Sequence, residues 1–157
     1  MTATGRSFPE PLLALPSFVM YQLVRESRRL VGTAGSWRLS QLGVLSSLAE
    51  FGPAAQRDLS VRLRIDPSDL VSVLDDLERD GLVRRDRDPA DRRRYAVTLT
   101  PAGAERLAEL LAAARLMDER LFAGLSEQEK AELHRLLLRV YGHLDPDRLP
   151  PECRAAG

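Results

Sequence analysis

Apolar residues recur at intervals of three and four positions along most of the chain, and this spacing is typical of amphipathic helices. It predicts helices over these approximate ranges: 15–32, 38–51, 54–63, 66–80, 100–124 and 126–145. The clearest apolar stripe consists of Leu70, Val73, Leu74 and Leu77. The chain is therefore expected to be mostly helical.

Helix start and stop signals support these boundaries. Asp66 followed by Pro67 is a helix start, because the carboxylate can cap the first turn and proline suits the first helical position. Ser126, with Glu129 three residues later, forms a capping box. Gly81 supplies the left-handed residue that commonly ends a helix.

The hydrophobic period changes in the middle of the chain. Residues 82–85 and 95–99 are short segments rich in β-forming residues, and large apolar residues alternate from Tyr95 to Leu99. A polar, charged segment, residues 87–94, separates them. This pattern predicts a β-hairpin with a long basic turn.

The order of these elements suggests a known plan. A helix, a short helix, a third helix and a hairpin with a basic tip follow one another between about residues 38 and 99. In a winged helix-turn-helix, one helix enters the major groove of DNA and the hairpin follows the backbone or enters the minor groove. A generic α+β domain with arginines on a solvated surface fits the same order, and the pattern alone leaves both open.

Charge is unevenly distributed, although the formal net charge is zero. Residues 82–95 hold six arginines against three aspartates, and residues 66–80 hold six carboxylates against one arginine. A basic hairpin thus follows an acidic helix. Any evidence for a nucleic-acid partner comes from this local clustering, since the net charge supplies none.

Composition excludes several classes of protein. Hydrophobic residues make up 44% and charged residues 29% of 157 residues, which argues against a largely disordered chain. No apolar run approaches the roughly 20 residues of a transmembrane helix. No secretory signal is evident at the N-terminus, so we expect a cytoplasmic protein with no membrane partner.

The sequence offers no pattern typical of a metal, cofactor or catalytic site. Cys153 is the only cysteine, so an internal disulfide or a cysteine cluster is excluded. His134 and His143 are nine residues apart on one predicted helix, which is not the spacing of a ligand pair. We expect no metal, no cofactor and no enzymatic activity.

Two segments of the sequence resemble the MarR family, the multiple antibiotic resistance type of bacterial transcription regulators. Residues 70–85, LVSVLDDLERDGLVRR, resemble its recognition helix and first wing strand. Residues 88–103, DPADRRRYAVTLTPAG, resemble its wing, with an Asp-x-Arg tip and a Leu-Thr-x-x-Gly entry into the next helix. The match is specific over about residues 40–103 and extends in helix number and length over roughly 12–145.

The resemblance implies a mostly α fold with a small β-hairpin wing and helices that form a homodimer. The expected organisation has five segments: a disordered arm at 1–11, an N-terminal dimerisation helix at 12–36, a winged helix-turn-helix domain at 37–100, C-terminal dimerisation helices at 101–145 and a flexible tail at 146–157.

The predicted partner is double-stranded DNA. Ser68, Asp69 and Ser72 project from the first turns of the recognition helix, away from its apolar stripe, and are the candidates for base contacts. Candidates for phosphate contacts are Arg62, Arg64, Arg84, Arg85, Arg92 and Arg94. The recognition helix is unusually acidic for the family, and carboxylates near phosphates cost affinity.

The wing tip carries a more specific hypothesis. Arg93 suits a narrow minor groove, where the negative potential is enhanced. Asp91 can hold its guanidinium in a fork geometry. An isolated surface ion pair at this position is the plainer interpretation, and the resemblance favours the DNA-binding one.

The resemblance also implies a small aromatic or anionic effector bound near the dimer helices. Candidate wall residues are Phe18, Tyr21, Trp37, Phe51 and Met117, with Arg38 or Arg28 as the anion partner. The same aromatic residues also suit plain core or interface packing.

The leading hypothesis is a dimeric repressor that binds a pseudo-palindromic operator and is released by a small molecule. A winged-helix protein-interaction module that has lost DNA binding is the alternative, and the acidic recognition helix motivates it.

Overall fold

The computed structural model describes residues 8–34, 39–87 and 95–149, with the backbone alone described at 28 and 30–34. Helices in this part of the chain are α1 (Glu10–Leu13), α2 (Pro16–Ala34), α3 (Leu39–Phe51), α4 (Gln56–Leu63), α5 (Pro67–Arg79), α6 (Pro101–Leu121) and α7 (Glu127–Leu144). Strands are β1 (Ala54–Ala55), β2 (Val83–Arg87) and β3 (Tyr95–Leu99). The predicted mostly helical fold with a small β-hairpin is confirmed.

The three strands form an antiparallel sheet in the order β1-β3-β2. In the hairpin, Val83 pairs with Leu99 and Arg87 pairs with Tyr95. The prediction missed β1 and placed Ala54 and Ala55 in a helix that in fact begins at Gln56. Two alanines carry no periodic signal, and their strand exists because they pair with β3.

The core lies where α3, α5 and the sheet meet. The four residues of the predicted α5 stripe, Leu70, Val73, Leu74 and Leu77, are all buried. The other core residues are Val44, Leu45, Leu48, Ala54, Leu59, Val83, Val97, Leu107 and Leu110. Burial of each large aliphatic side chain contributes roughly 1.5–3 kcal/mol to stability, so this cluster holds the helix-turn-helix and the sheet together.

Strand β3 is more buried than its alternation predicted. Val97 is buried and Leu99 is partly buried, but Tyr95, which pairs with Arg87 next to the connecting residues 88–94, is exposed. Ala96, on the opposite face, is also buried. Besides its neighbours β1 and β2, strand β3 is contacted by α3 and α4.

Both ends of the described chain correct the sequence-based organisation. Glu10 and Pro11, expected in a disordered arm, belong to α1, and Phe8 packs edge-on against Phe18 with ring centroids 5.1 Å apart. At the other end, Leu149 is buried although a flexible tail was expected from residue 146. Leu149 lies against Gly142, which has no side chain to block it.

The helix boundaries agree with the predicted caps at Asp66 and Ser126, and Gly81 has the predicted left-handed backbone, with φ 72°. The Asp66 carboxylate accepts a hydrogen bond from the Ser68 backbone N–H, and Ser126 and Glu129 form the complete capping box. Helix α2 extends to Ala34, two residues beyond the predicted end at about residue 32.

Contacts divide the chain into two compact units after Met117, inside α6. The first contains the helix-turn-helix, the sheet and most of α6. The second contains the end of α6 and α7. Within the described ranges, no helix is long and apolar enough to cross a membrane.

The start of α6 is joined to the end of α5 through Thr100 and Gly103. The Thr100 hydroxyl lies 2.7 Å from the Gly81 carbonyl oxygen and 3.0 Å from that of Leu82, and it accepts a hydrogen bond from the Gly103 N–H. A Cβ at position 103 would lie 2.0 Å from the Leu82 carbonyl oxygen. Glycine is therefore required here by close packing of backbone on backbone.

We expect Gly103→Ala to destabilise the protein by about 3 kcal/mol, because the new methyl group forces the α6 backbone away from Leu82. Gly124→Ala is the matched control, since a Cβ at Gly124 meets nothing within 4 Å. Urea denaturation followed by circular dichroism measures both. Equal midpoints for the two variants would show that Gly103 is not a point of close packing.

Candidate nucleic-acid interface

The turn between α4 and α5 sets the angle of a helix-turn-helix. The Ser60 hydroxyl donates to the Ile65 carbonyl at 2.8 Å, and the Ile65 N–H donates back to the Ser60 carbonyl at 3.2 Å. Arg64 occupies the left-handed region at φ 49° and ψ 42°, which is uncommon for a residue with a side chain. This tight turn places the first residues of α5 at the surface.

The N-terminus of α5 is organised by Asp66. Its carboxylate accepts hydrogen bonds from the Ser68 hydroxyl and from the Ser68 N–H, the latter at 2.8 Å. The hydroxyl bond, followed by the backbone bond, lowers the pKa of Asp66 below its usual range. Ser68 is exposed, as predicted, but its hydroxyl donates its proton to the Asp66 carboxylate.

The predicted base-contacting residues Ser68, Asp69 and Ser72 all lie exposed on the first turns of α5. Between them lies Val71, which is 40% exposed. Val71 was not among the predicted contact residues, although its position outside the Leu70-Leu74 stripe was a sufficient signal. An exposed apolar side chain on such a helix can contact the methyl group of thymine.

Two carboxylates of the acidic helix are paired with the hairpin. The Arg85 guanidinium donates to Asp75 Oδ1 at 2.7 Å and also to the Glu78 carboxylate. The Arg85 backbone N–H donates to Glu78 Oε1 at 3.1 Å. Burial lowers the pKa of Arg85, but the hydrogen bonds to Asp75 and Glu78 outweigh it, so the pKa lies above its usual range.

A third carboxylate is paired within the helix, where Asp76 accepts from Arg79. Half of the six acidic side chains counted over residues 66–80 therefore have an arginine partner. Two arginines thus offset two of these three negative charges. Part of the acidity of α5 therefore serves pairing within the protein.

The remaining predicted arginines occupy different positions. Arg84 is exposed on β2 and pairs with Asp86 at 2.6 Å. Arg62 donates to Ser47 at 2.9 Å, and its guanidinium lies 4.6 Å from the centroid of the Phe51 ring. Four predicted residues of the hairpin tip, Asp91, Arg92, Arg93 and Arg94, lie outside the described residues.

The predicted effector residues have separate surroundings. Phe18 packs on Phe8, Phe51 lies beneath Arg62, and Tyr21 is exposed on α2. Met117 is half-buried on α6. Trp37 and Arg38 lie outside the described residues, as does the side chain of Arg28.

A cleft of about 460 Å³ lies in the second unit, along the end of α6 and the first half of α7. Its walls are Asp118, Glu119, Phe122, Glu127, Lys130, Leu133, His134 and Leu137, none of which was predicted to contact an effector. Lys130 is paired with Glu127 at 2.7 Å. Among the described residues, those of this cleft included, no group of three potential metal ligands is found.

A helix-turn-helix with an exposed polar N-terminal face, followed by a hairpin tied to its second helix, defines a winged-helix protein. The sequence profile of the MarR family matches residues 37–95. A Thauera aromatica protein, whose name assigns it to regulation of the hcr operon, is 35% identical over 117 residues, which are 74% of this chain and 70% of that protein. The chain belongs to the MarR family of transcriptional regulators.

Solved structures agree with this assignment. A probable transcriptional regulator from Pseudomonas aeruginosa is 34% identical, with a TM-score of 0.70 over 80% of this chain and 96% of that one. The PcaV regulator of Streptomyces coelicolor, solved with its natural ligand, is 27% identical, with a TM-score of 0.70 over 88% of this chain and all of that one.

Proposed function

We propose that this protein is a homodimeric repressor that binds a pseudo-palindromic operator and is released by a small aromatic or anionic ligand. The observation that carries the proposal is the exposed face at the start of α5, held in place by the Ser60 turn and by the Asp66 cap. A helix presented in this way inserts its first turns into the major groove.

Base contacts in this proposal come from Ser72, Asp69 and Val71. A serine hydroxyl can pair with several bases, a carboxylate accepts from the amino group of cytosine, and the valine contacts thymine methyl groups. Ser68 accepts rather than donates, because its proton is directed to Asp66.

Phosphate contacts come from arginines around this helix. Arg62 is held by the Phe51 ring and by Ser47, so its guanidinium loses little freedom when it meets a phosphate. Arg64, two residues after Arg62, is exposed, and so is Arg84 on β2. Such contacts supply affinity and set the register of the protein on the duplex.

Dimerisation is supported by exposed apolar side chains in each unit. Those on α2 include Met20, Leu23 and Val24, and those on α7 include Leu137, Val140 and Leu144. Leu144 is 75% exposed. Apolar side chains exposed in such number on a soluble fold mark an interface, and a two-fold dimer presents two recognition helices to two half-sites.

The proposal that an effector binds is supported by the similarity to the PcaV regulator, which was solved with its natural ligand. We assign the effector contacts to Phe18, Tyr21, Trp37, Arg38, Phe51 and Met117. In this proposal the ligand changes the distance between the two recognition helices of the dimer, and the operator is released.

We expect the protein to bind duplex DNA from the region upstream of its own gene, and to do so less tightly as salt rises. The logarithm of the association constant should fall against the logarithm of salt concentration with a slope of about −0.9 per neutralised phosphate. Fluorescence anisotropy over a salt series measures the slope, with a scrambled duplex of equal length as the control.

No binding to either duplex would contradict the proposal and favour a protein-interaction module. Equal affinity for the two duplexes would contradict sequence-specific regulation.

We expect Arg93→Ala to weaken binding to the operator duplex more than Arg94→Ala does, because an arginine in the minor groove gains from concentrated negative potential. One phosphate contact among several is partly redundant. Asp91→Ala should give a smaller loss of the same kind as Arg93→Ala, since it frees the Arg93 side chain from its orientation.

Titration of the three variants at one salt concentration, after circular dichroism has shown that each is folded, measures this order. If Arg94→Ala loses affinity and Arg93→Ala binds like the parent, Arg94 is the tip residue that matters and our assignment is wrong.

A further inference from the structure

The pairing of Arg85 with the acidic helix connects the two elements that are proposed to contact DNA. Asp75 and Glu78 are three residues apart, so they lie on the same face of α5 about one turn apart. Arg85 reaches both carboxylates from β2, while its backbone N–H donates to Glu78 as well. Three hydrogen bonds therefore cross from one strand residue to the recognition helix.

A second attachment lies at the beginning of the strand. The Leu82 N–H donates to the Leu77 carbonyl at 2.8 Å, at the point where the chain leaves α5. Arg85 lies three residues further on, or about 10 Å along an extended strand. The buried Val83 and the Leu82 bond hold the base of the hairpin, and Arg85 adds an attachment further along β2, which fixes the direction of the hairpin relative to the helix.

We propose that Arg85 is a positioning residue, which sets the direction of the wing relative to the recognition helix so that both meet the duplex in one orientation. The proposal rests on the DNA-binding function proposed above. Arg85 acts through Asp75 and Glu78 and needs no contact of its own with a phosphate.

The chemistry of the side chains suits this role. A guanidinium is planar and donates in a fixed fork, so a pair of carboxylates determines its orientation as well as its position. The Arg85 side chain is only 27% exposed, which weakens competition from water. A lysine ammonium in its place would lack the planar fork that engages both carboxylates in one orientation.

The competing explanation is that Arg85 neutralises a phosphate and that the carboxylates of α5 only repel the phosphates of DNA. The two explanations predict opposite signs for one experiment. Removal of the negative charge of Asp75 and Glu78 makes the surface more positive and releases Arg85, which should strengthen binding if Arg85 is a phosphate ligand. If Arg85 positions the wing, the same change should weaken binding.

The test compares Asp75→Asn/Glu78→Gln with the matched control Asp76→Asn/Asp80→Asn. Each variant removes two negative charges from α5. Asp76 pairs with Arg79 of the same helix, and Asp80 lies at its C-terminal cap. Affinity is measured by anisotropy with a fluorescein-labelled duplex from upstream of the gene, at fixed salt and then over a salt series.

We expect the Asp75/Glu78 variant to bind at least about fivefold more weakly than the parent, which is the lower end of energetic coupling between linked sites. Its salt slope should become shallower by about 0.9 for each phosphate contact that the wing loses. The control should bind as tightly as the parent or more tightly. In the same assay, Arg85→Lys should retain more affinity than Arg85→Gln.

Tighter or unchanged binding by the Asp75/Glu78 variant, with the parent bound normally, overturns the positioning role and leaves the DNA-binding function intact. A parent protein that does not bind the duplex overturns both. If circular dichroism shows that the double variant is unfolded, Asp75→Asn is compared with Asp80→Asn instead. Asp75→Asn retains both bonds from Arg85 to Glu78. Weaker binding by Asp75→Asn than by Asp80→Asn supports the positioning role, and equal or tighter binding overturns it.

Discussion

Close contact between the α6 backbone and the Leu82 carbonyl is the constraint on which the winged domain depends. Gly103 permits this contact, and the Thr100 hydroxyl bonds to the carbonyl groups of Gly81 and Leu82, which follow α5. Through these two residues, the end of α5, the start of β2 and the start of α6 share one small junction. The first unit therefore holds α5 and the base of its hairpin in a fixed relation.

The carboxylates of the acidic helix α5 are interpreted differently once their partners in the structure are known. As a pattern, its carboxylates argue against DNA binding. In the structure, Asp75 and Glu78 hold Arg85, and Asp76 pairs with Arg79. Because these pairs are partly exposed, their contribution to folding stability is modest. In the function that we propose, their importance lies in geometry, since they orient the hairpin relative to α5.

Much of the fold could be predicted because it is encoded locally. The Leu70-to-Leu77 stripe, the Asp66 cap and the Ser126 capping box each depend on residues within one or two turns. The exposure of Ser72 followed from the same stripe. By contrast, β1 forms only by pairing with the distant strand β3, and the burial of Leu149 and the Arg85 pairing depend on contacts between separate segments of the chain. Periodicity contains no information about such register, so these features emerged only from the structure.

The central claim is that two copies of this winged domain bind one operator symmetrically. Hydroxyl-radical footprinting of the upstream duplex tests it most directly, since it reports each contacted sugar on both strands. The account predicts two protected segments, related by two-fold symmetry and about one helical turn apart, with protection in the flanking minor grooves. A single protected segment, or none with folded protein at saturating concentration, would contradict it.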